Sequence, residues 1–586
     1  MTDAAEQLRA AQAAVESAQA ALARAQAEAE VEAAVPGAGS GTASTGSGPL
    51  DEAAVDAIRA GYAVEGHAIE VGALVNGEAL PDVQVRIPVA MLNRHGLVAG
   101  ATGTGKTRTL QVLTEQLSFL GVPVFAADIK GDLTGVATPG APSDKLLDRT
   151  RGIGQDWTPA SFPTEYFSLG GVGVGVPVRA TISGFGPLLL SKVLGLNPTQ
   201  ESSLGLVFHY AAQAGLPLVD LADLRAVLSY LVTDDGKGEL KDLGGLSAAT
   251  VGVILRELIT FADQGADVFF GEPEVDTADF LRTAADGRGI ISLLEVPGLQ
   301  DKPALFSTFL MWLLADLFND LPEVGDLDKP KLVFFFDEAH LLFRDASKDF
   351  LESIIQTVRL IRSKGVGIVF VTQTPKDVPG DVLAQLGSRI QHQLRAHTPD
   401  DAKALRATVS TYPTSGYDLG GVLTQLAIGE AIVTVMNEKG APTPVAWTRL
   451  RAPQGSMAPS PADQVSAAVA ASALLPKYGT PVDPDSAREM LARKLDAAAQ
   501  AKAVQTQAQD QATAQAEQAA AAKKAQADYD RLLREARKSQ PKTPAPRRTP
   551  APRPQKNPVE EFMGSSMGKT VVREVVKGIF GTLLRR

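Results

Sequence analysis

The sequence predicts an α/β protein built on a mainly parallel β-sheet with helices on both faces. Short, continuous apolar runs recur between residues 95 and 450, and helical patterns such as 106–120 and 350–364 lie between several of them. Strands that are apolar along their whole length are buried on both faces, as in parallel sheets covered by helices. With 586 residues, of which 45% are hydrophobic, the chain is long enough for several domains and a large core.

The elements are assigned in order along the chain. Residues 61–90 alternate apolar and polar positions around Gly and Pro, which predicts a small β module. Eight apolar runs are predicted strands, the first five forming the core of the sheet and the last three extending it: 95–100, 122–128, 289–296, 332–337, 367–373, 389–394, 429–436 and 444–450. The interval 187–285 has mostly helical periodicity and predicts a helical insertion.

Composition divides the chain into six segments. They are an Ala-rich helix with a Gly/Ser linker (1–48), the small N-terminal β module (49–95), the α/β domain (96–455), an Ala/Gln-rich helical tail (456–540), a basic Pro-rich linker (541–557) and a C-terminal amphipathic helix (558–586). The termini are therefore predicted to be helical or of low complexity.

The absence of cysteine excludes several classes of site. A disulfide scaffold, a thiol nucleophile, a Cys-ligated zinc site and an iron–sulfur cluster all need residues that this sequence does not contain. The longest apolar stretch is interrupted by Asp316, and the first ten residues carry acids in place of an apolar signal core. We therefore expect a cytoplasmic protein without an integral membrane segment.

Charge is distributed unevenly along the chain. The net charge is −11, but residues 501–586 carry +9 and the preceding 500 residues carry −20. An acidic body argues against nucleic acid coating the outer surface, although it allows a locally basic channel. The basic stretch 531–556 suits a phosphate backbone or acidic lipids, or else serves only as a tether for the terminal helix.

A phosphate-binding loop is the strongest motif. The pattern G-x-x-x-x-G-K-[ST] is matched by Gly100, Ala101, Thr102, Gly103, Thr104, Gly105, Lys106 and Thr107. It follows a predicted strand and precedes a predicted helix, so main-chain N–H groups and the helix N-terminus can face phosphate oxygens. Lys106 is expected to contact the terminal phosphates of ATP, and Thr107 to offer its hydroxyl to Mg²⁺. A second string at 564–570 is a decoy, because Met563 occupies its required first glycine position.

Two acids end the apolar run at 332–336. Asp337 and Glu338 are expected at the carboxyl end of a central strand, where α/β sheets place their ligands. Asp337 is predicted to hold the metal ion through water, and Glu338 to orient and polarise the attacking water. This pairing favours hydrolysis over phosphoryl transfer to another substrate. The alternative is that Glu338 only caps the following helix.

Three further polar residues lie near predicted strand ends. Gln373 is placed to sense the γ-phosphate, or else is an ordinary turn residue. Asp128 has either a site role or a purely structural turn role. His340 could modulate the catalytic water, but a histidine that contacts the core at a helix start is the more common situation.

Five strings resemble one family. They are GATGTGKT (100–107), DIKGDLTG (128–135), KLVFFFDEAHLLF (331–343), VRLIRSKGVGIVFVTQ (358–373) and LGSRIQHQLRAHTPDD (386–401). Together they resemble the HerA-like ATPases of the HerA/FtsK superfamily, specifically the bacterial YjgR-type proteins with a helicase HerA-like C-terminal domain. The first and third strings are generic to P-loop ATPases, whereas the other three are more specific.

The resemblance implies a RecA-like P-loop NTPase core at 96–455, Mg²⁺-dependent ATP hydrolysis and a homo-oligomeric ring, commonly a hexamer. In such a ring one subunit completes its neighbour's site. Carried over by motif, Lys106 and Thr107 contact the nucleotide, Asp337 the metal and Glu338 the water. Gln373 is the sensor.

A ring ATPase also needs an arginine from the adjacent subunit to neutralise charge in the transition state. Arg389 and Arg362 are the leading candidates, followed by Arg359. Each is equally compatible with an ordinary role in a turn or on a helix surface.

Three functions are compatible with these features. The first is a ring motor that acts on double-stranded DNA as a translocase or helicase-like ATPase. The second is an ATPase that transports or remodels protein. The third is a nucleotide-gated scaffold whose terminal helices recruit partners. Stimulation of hydrolysis by double-stranded DNA distinguishes the first from the second.

Overall fold

The structure is a computed structural model that describes residues 48–240, 244–295, 303–325, 327–343, 348–437 and 439–538. The predicted N-terminal Ala-rich helix, the basic Pro-rich linker, the C-terminal helix and the decoy string therefore lie outside the described residues. The chain divides into two units, Met1–Leu495 and Asp496–Arg586.

Within the described residues, twelve strands form one sheet. They are β1 (Ala68–Asn76), β2 (Glu78–Pro88), β3 (Gly96–Ala99), β4 (Val124–Asp128), β5 (Thr164–Leu169), β6 (Val176–Val178), β7 (Ile291–Glu295), β8 (Leu332–Phe336), β9 (Val366–Thr372), β10 (Ser388–Gln391), β11 (Glu430–Thr434) and β12 (Ala446–Leu450). The order across the sheet is β2-β1-β12-β11-β10-β3-β9-β8-β4-β7-β5-β6. All pairs from β10 to β6 are parallel, and all pairs from β2 to β10 are antiparallel.

Helices lie between the strands and after the sheet. They are α1 (Glu52–Gly61), α2 (Lys106–Phe119), α3 (Asp144–Gly152), α4 (Ile182–Val193), α5 (Pro198–Gln213), α6 (Leu221–Leu231), α7 (Ala248–Asp263), α8 (Pro303–Asp320), α9 (His340–Phe343), α10 (Lys348–Ile361), α11 (Gly380–Leu383), α12 (Pro399–Val409), α13 (Leu419–Gln425), α14 (Ala462–Ala471), α15 (Leu475–Tyr478) and α16 (Ala487–Lys538). Helices α4 to α7 make up the predicted helical insertion. Residues 496–538, the described part of the second unit, are the remainder of α16 and are mostly exposed.

The apolar strands explain why the sheet is covered on both faces. In β8, Phe334 and Phe336 belong to one buried cluster with α8 and the helices of the insertion, whereas Val333 and Phe335 belong to a second cluster with α2. Alternate residues of a strand point to opposite faces, so a continuously apolar strand supplies both cores. The predicted α/β class with a mainly parallel sheet is confirmed.

Two features differ from the expectation at the edges of the sheet. Strands β5 and β6 were not predicted, and they continue the parallel order beyond β7. The strands of the small N-terminal β module pair with β12 through Gly72 and Leu450, so they share the sheet of the α/β domain. The pairings of β5 with β7 and of β1 with β12 join segments that are distant in sequence and leave no local pattern.

Candidate nucleotide-binding site

The predicted phosphate loop lies between β3 and α2. Gly103 has a φ of 84° and Gly105 a φ of 107°, a left-handed backbone that favours glycine over other residues. Lys106 begins α2, and its Nζ donates to the carbonyl oxygens of Gly100 at 2.7 Å and Ala101 at 3.1 Å. The lysine side chain therefore lies along the loop, next to the N-terminus of α2, where main-chain N–H groups favour an anion.

His392, which follows the neighbouring strand β10, forms hydrogen bonds that hold this loop in place. It is fully buried just after β10, with Nδ1 3.1 Å from the Thr104 carbonyl oxygen and Nε2 3.0 Å from Thr109 Oγ1. A carbonyl can only accept, so Nδ1 carries the proton and Nε2 accepts from the threonine hydroxyl. Burial, and then the nearby Lys106, lower the pKa of His392 to about 4, which keeps the imidazole neutral at ordinary pH.

The two predicted acids reach the same edge of the sheet. β8 is separated from β3 only by β9, and all three strands are parallel, so their carboxyl ends lie side by side. Burial lowers the pKa of Lys106, whereas the close carboxylates of Glu338 and Asp337 oppose that effect. The structure thus brings Lys106 close to Asp337 and Glu338, although Lys106 lies more than 230 positions before them in the sequence.

Glu338 has an unusual backbone and environment. Its φ is 51°, a left-handed conformation that is uncommon for a residue other than glycine, and it is 9% exposed. Its Oε1 forms an ion pair with Lys130 Nζ, and His340 Nδ1 lies 3.3 Å from its Oε2. Strained residues of this kind concentrate at functional sites.

The two adjacent acids have opposite pKa shifts. The nearby His340 and then Lys130 lower the pKa of Glu338 to about 2, against the effect of burial. Burial, and then the neighbouring Glu338 charge, raise the pKa of Asp337 to about 6. Glu338 is therefore the ionised member of the pair over the ordinary pH range, whereas Asp337 is about half ionised near pH 6.

Asp128 organises the loop that carries Lys130. Its carboxylate accepts from the main-chain N–H groups of Lys130, Gly131, Asp132 and Leu133 at 2.8–3.2 Å, and the residue is 1% exposed. Burial raises the pKa of Asp128, although the hydrogen bonds from Leu133, Gly131 and Lys130 oppose the effect. The structural turn role is therefore observed for Asp128, and it places Lys130 against Glu338.

Gln373 follows β9 beside the phosphate loop. It is exposed and lines a cleft of about 210 Å³ with Ala101, Thr102, Lys376 and Arg395. Gly100 N–H donates to the Thr372 carbonyl at 3.2 Å, which fixes the strand end against the loop. A contact between Gln373 and the terminal phosphate remains a prediction.

The arginine candidates lie farther from the loop of their own chain. Arg389 is inside β10 opposite Leu97 and donates to Thr411 Oγ1 at 2.8 Å. Arg362 begins the short 3₁₀ helix before β9, at the other end of that strand, and Arg359 is exposed on α10. Their action in a neighbouring subunit remains a prediction.

Arg395 was not singled out by the sequence analysis, and its Nη2 donates to the Thr102 carbonyl at 3.3 Å.

A second cleft, of about 350 Å³, opens on the other side of the loop. Its wall combines cationic and apolar side chains, together with the main chain of the loop itself. The lining includes Gly105, Arg108, Lys145, Arg149, Ile428 and Met457. Ile428 is 73% exposed, and it lies beside the loop because the next residue, Gly429, donates its N–H to the Thr104 carbonyl at 3.2 Å.

The donor set suits a magnesium ion that is shared with phosphates. Mg²⁺ prefers oxygen ligands and normally takes one or two from the protein, the rest being water and phosphate. The Thr107 hydroxyl at the start of α2 and the Asp337 carboxylate are oxygen donors of this kind. Among the described residues no group of three or more His, Asp and Glu side chains forms a complete cage.

The sequence also matches a known protein family. A family model described as "Helicase HerA-like C-terminal" matches residues 74–586. The chain belongs to this family. The predicted assignment to the HerA-like P-loop ATPases is therefore confirmed.

Two curated relatives are similar to the chain at 26% and 21% identity. The chain is 26% identical over 360 residues to "Probable helicase" of Methanocaldococcus jannaschii, covering 58% of this chain and 64% of that protein. It is 21% identical over 393 residues to "DNA double-strand break repair helicase HerA" of Saccharolobus solfataricus, covering 66% of this chain and 69% of that protein. The chain thus spans about two thirds of the length of these relatives.

Two solved structures are similar at low identity. The plasmid coupling protein TrwB with a non-hydrolysable ATP analogue gives a TM-score of 0.48 at 16% identity, covering 72% of this chain and 98% of TrwB. VirB4 of Thermoanaerobacter pseudethanolicus gives a TM-score of 0.41 at 14% identity, covering 66% of this chain and 98% of VirB4.

Within the described part of the chain, each helix is too short or too polar to cross a bilayer.

Proposed function

We propose that the chain is an ATP-hydrolysing ring motor that acts on double-stranded DNA. The observation that carries the ATPase part is the meeting of Lys106, Asp337 and Glu338 at the edge of the sheet where the parallel strands β3 and β8 end. A phosphate-binding loop next to a buried, ionised carboxylate suits attack by water on a terminal phosphate. The DNA part is supported by family membership and by the printed name of the Saccharolobus relative.

Each residue has a distinct task in this mechanism. The loop amides and Lys106 bind the phosphates and neutralise their charge, which positions the terminal phosphate at the edge of β8. Glu338 accepts a hydrogen bond from the attacking water and orients it. Gln373 donates its amide to the terminal phosphate. A bound magnesium ion, held by Thr107 and Asp337, would neutralise phosphate charge.

The cleft beside Gly105 is proposed to take the nucleoside. Ile428 provides an exposed apolar surface for the base, and Arg108 and Arg149 provide cations near the ribose and α-phosphate. Ile428→Asp replaces the apolar surface with a charged, hydrated side chain that does not pack against a base. We expect ATP and ADP to bind about tenfold more weakly.

Competition binding with a fluorescent nucleotide measures this effect. Inorganic triphosphate should compete equally well with both proteins, because it does not reach the cleft. Ile259→Asp, at a 43% exposed isoleucine on α7, is the matched control and should leave all affinities unchanged. Equal weakening of triphosphate binding by Ile428→Asp would show that the cleft is not a nucleoside site.

The assignment of DNA is tested by hydrolysis rates and by mass. Purified protein should hydrolyse ATP faster with double-stranded DNA than without it, and its mass should correspond to a ring when a nucleotide is bound. The charge of −20 over the first 500 residues favours protein as the alternative substrate. A rate that DNA does not change, in a protein that hydrolyses ATP, would favour this alternative.

A further inference from the structure

Lys130 is held by a rigid loop that points it at the catalytic carboxylate. Four main-chain N–H groups donate to the buried Asp128 carboxylate, and Gly131 turns the chain with a φ of 72°. The loop cannot easily rearrange, because moving it would leave the buried Asp128 oxygens without hydrogen bonds. The freedom that remains is in the Lys130 side chain, which is 47% exposed.

Lys130 engages one of the two carboxylate oxygens of Glu338, and the other is buried without a hydrogen-bond partner. Lys130 Nζ is paired with Glu338 Oε1, and His340 Nδ1 lies 3.3 Å from Oε2, while the Glu338 side chain is only 11% exposed. A carboxylate oxygen that is paired with an ammonium group is a poor acceptor for a water molecule. In this arrangement Glu338 is not poised to orient water.

A bound triphosphate would offer Lys130 a second anionic partner. Lys130 and Lys106 face the same two carboxylates, because Glu338 and Asp337 act electrostatically on both ammonium groups. The terminal phosphate that the loop and Lys106 receive therefore arrives within the surroundings of Lys130. Diphosphate lacks that terminal group.

We propose that Lys130 is a positioning residue that pairs with Glu338 in the nucleotide-free protein and transfers to the terminal phosphate of ATP, which releases Glu338 to orient water. This inference rests on the proposed ATPase function. It makes the readiness of the carboxylate depend on ATP rather than ADP. It also gives the loop after β4 a task that neither the phosphate loop nor the strand-end acids perform.

Equilibrium binding of ATP and ADP, measured without turnover at low temperature, tests the proposal. Lys130→Met should weaken ATP binding about tenfold and leave ADP binding unchanged, since only ATP carries the group that Lys130 receives. Lys130→Arg should restore most of the ATP affinity. Lys237→Met, at an exposed lysine paired with Asp234 at 3.1 Å in the insertion, is the matched control and should change neither affinity.

A double-mutant cycle separates this role from a structural one. Glu338→Gln removes the competing carboxylate, so it should tighten ATP binding when Lys130 is present and have no effect in the Lys130→Met protein. Independent, additive effects, or an equal loss of ATP and ADP affinity in Lys130→Met, would overturn the proposal. A wild-type protein that binds no ATP would instead contradict the proposed function itself.

Discussion

Lys106→Ala is expected to reduce ATP affinity by a factor of about 100 or more and to abolish hydrolysis. The Lys106 ammonium group is the cation that lies along the loop, with Nζ 2.7 Å from the Gly100 carbonyl oxygen, and alanine leaves the phosphate charge uncompensated at that point. The loop amides alone do not replace this ion pair. Because the helix and the glycines remain, the fold should be unaffected.

The measurement is titration of the purified protein with a fluorescent ATP analogue, accompanied by thermal unfolding. Lys237→Ala removes an exposed lysine of the insertion and serves as the control. We expect identical unfolding temperatures for the three proteins and a loss of nucleotide binding in Lys106→Ala alone. Retained affinity in a folded Lys106→Ala protein would mean that the loop does not bind the phosphates.

The sheet could largely be predicted because burial on both faces leaves a continuous apolar run in the sequence. β8 and β9 are such strands, and each lies in the middle of the sheet. β6 has only three residues within a Gly-rich segment, so its length and surroundings carry too little signal. The pairing of β1 with β12 joins segments nearly 400 residues apart, and this contact depends on the whole fold.

The site also contains some residues that could be predicted from the sequence and others that could not. The phosphate loop and the pair Asp337 and Glu338 are local motifs whose spacing reflects their chemistry. Lys130 and His392 were missed because their partners lie 208 and 288 positions away, at Glu338 and Thr104. Both residues occur inside the strings that resemble the family, which was the available signal, but the resemblance by itself assigns them no contact.

Glu338→Gln is expected to lower the rate of ATP hydrolysis by a factor of about 100 to 10,000 while ATP remains bound. Glutamine keeps the size of the side chain and a carbonyl acceptor, so the left-handed backbone at residue 338 can persist, while the ion pair with Lys130 is lost. What is lost is the negative charge that polarises the attacking water. The fold does not depend on that charge, and its loss frees Lys130 for the terminal phosphate.

Single-turnover hydrolysis with protein in excess over ATP measures the chemical step, and a binding titration measures retention of the nucleotide. Glu323→Gln, at an exposed acid after α8, is the control and should hydrolyse ATP at the wild-type rate. A Glu338→Gln protein that hydrolyses ATP within tenfold of the wild-type rate would assign the water to another group. Its environment makes that outcome unexpected: the Lys130 and His340 contacts keep the Glu338 carboxylate ionised at the edge of β8, whereas Asp337 beside it is held closer to its neutral form.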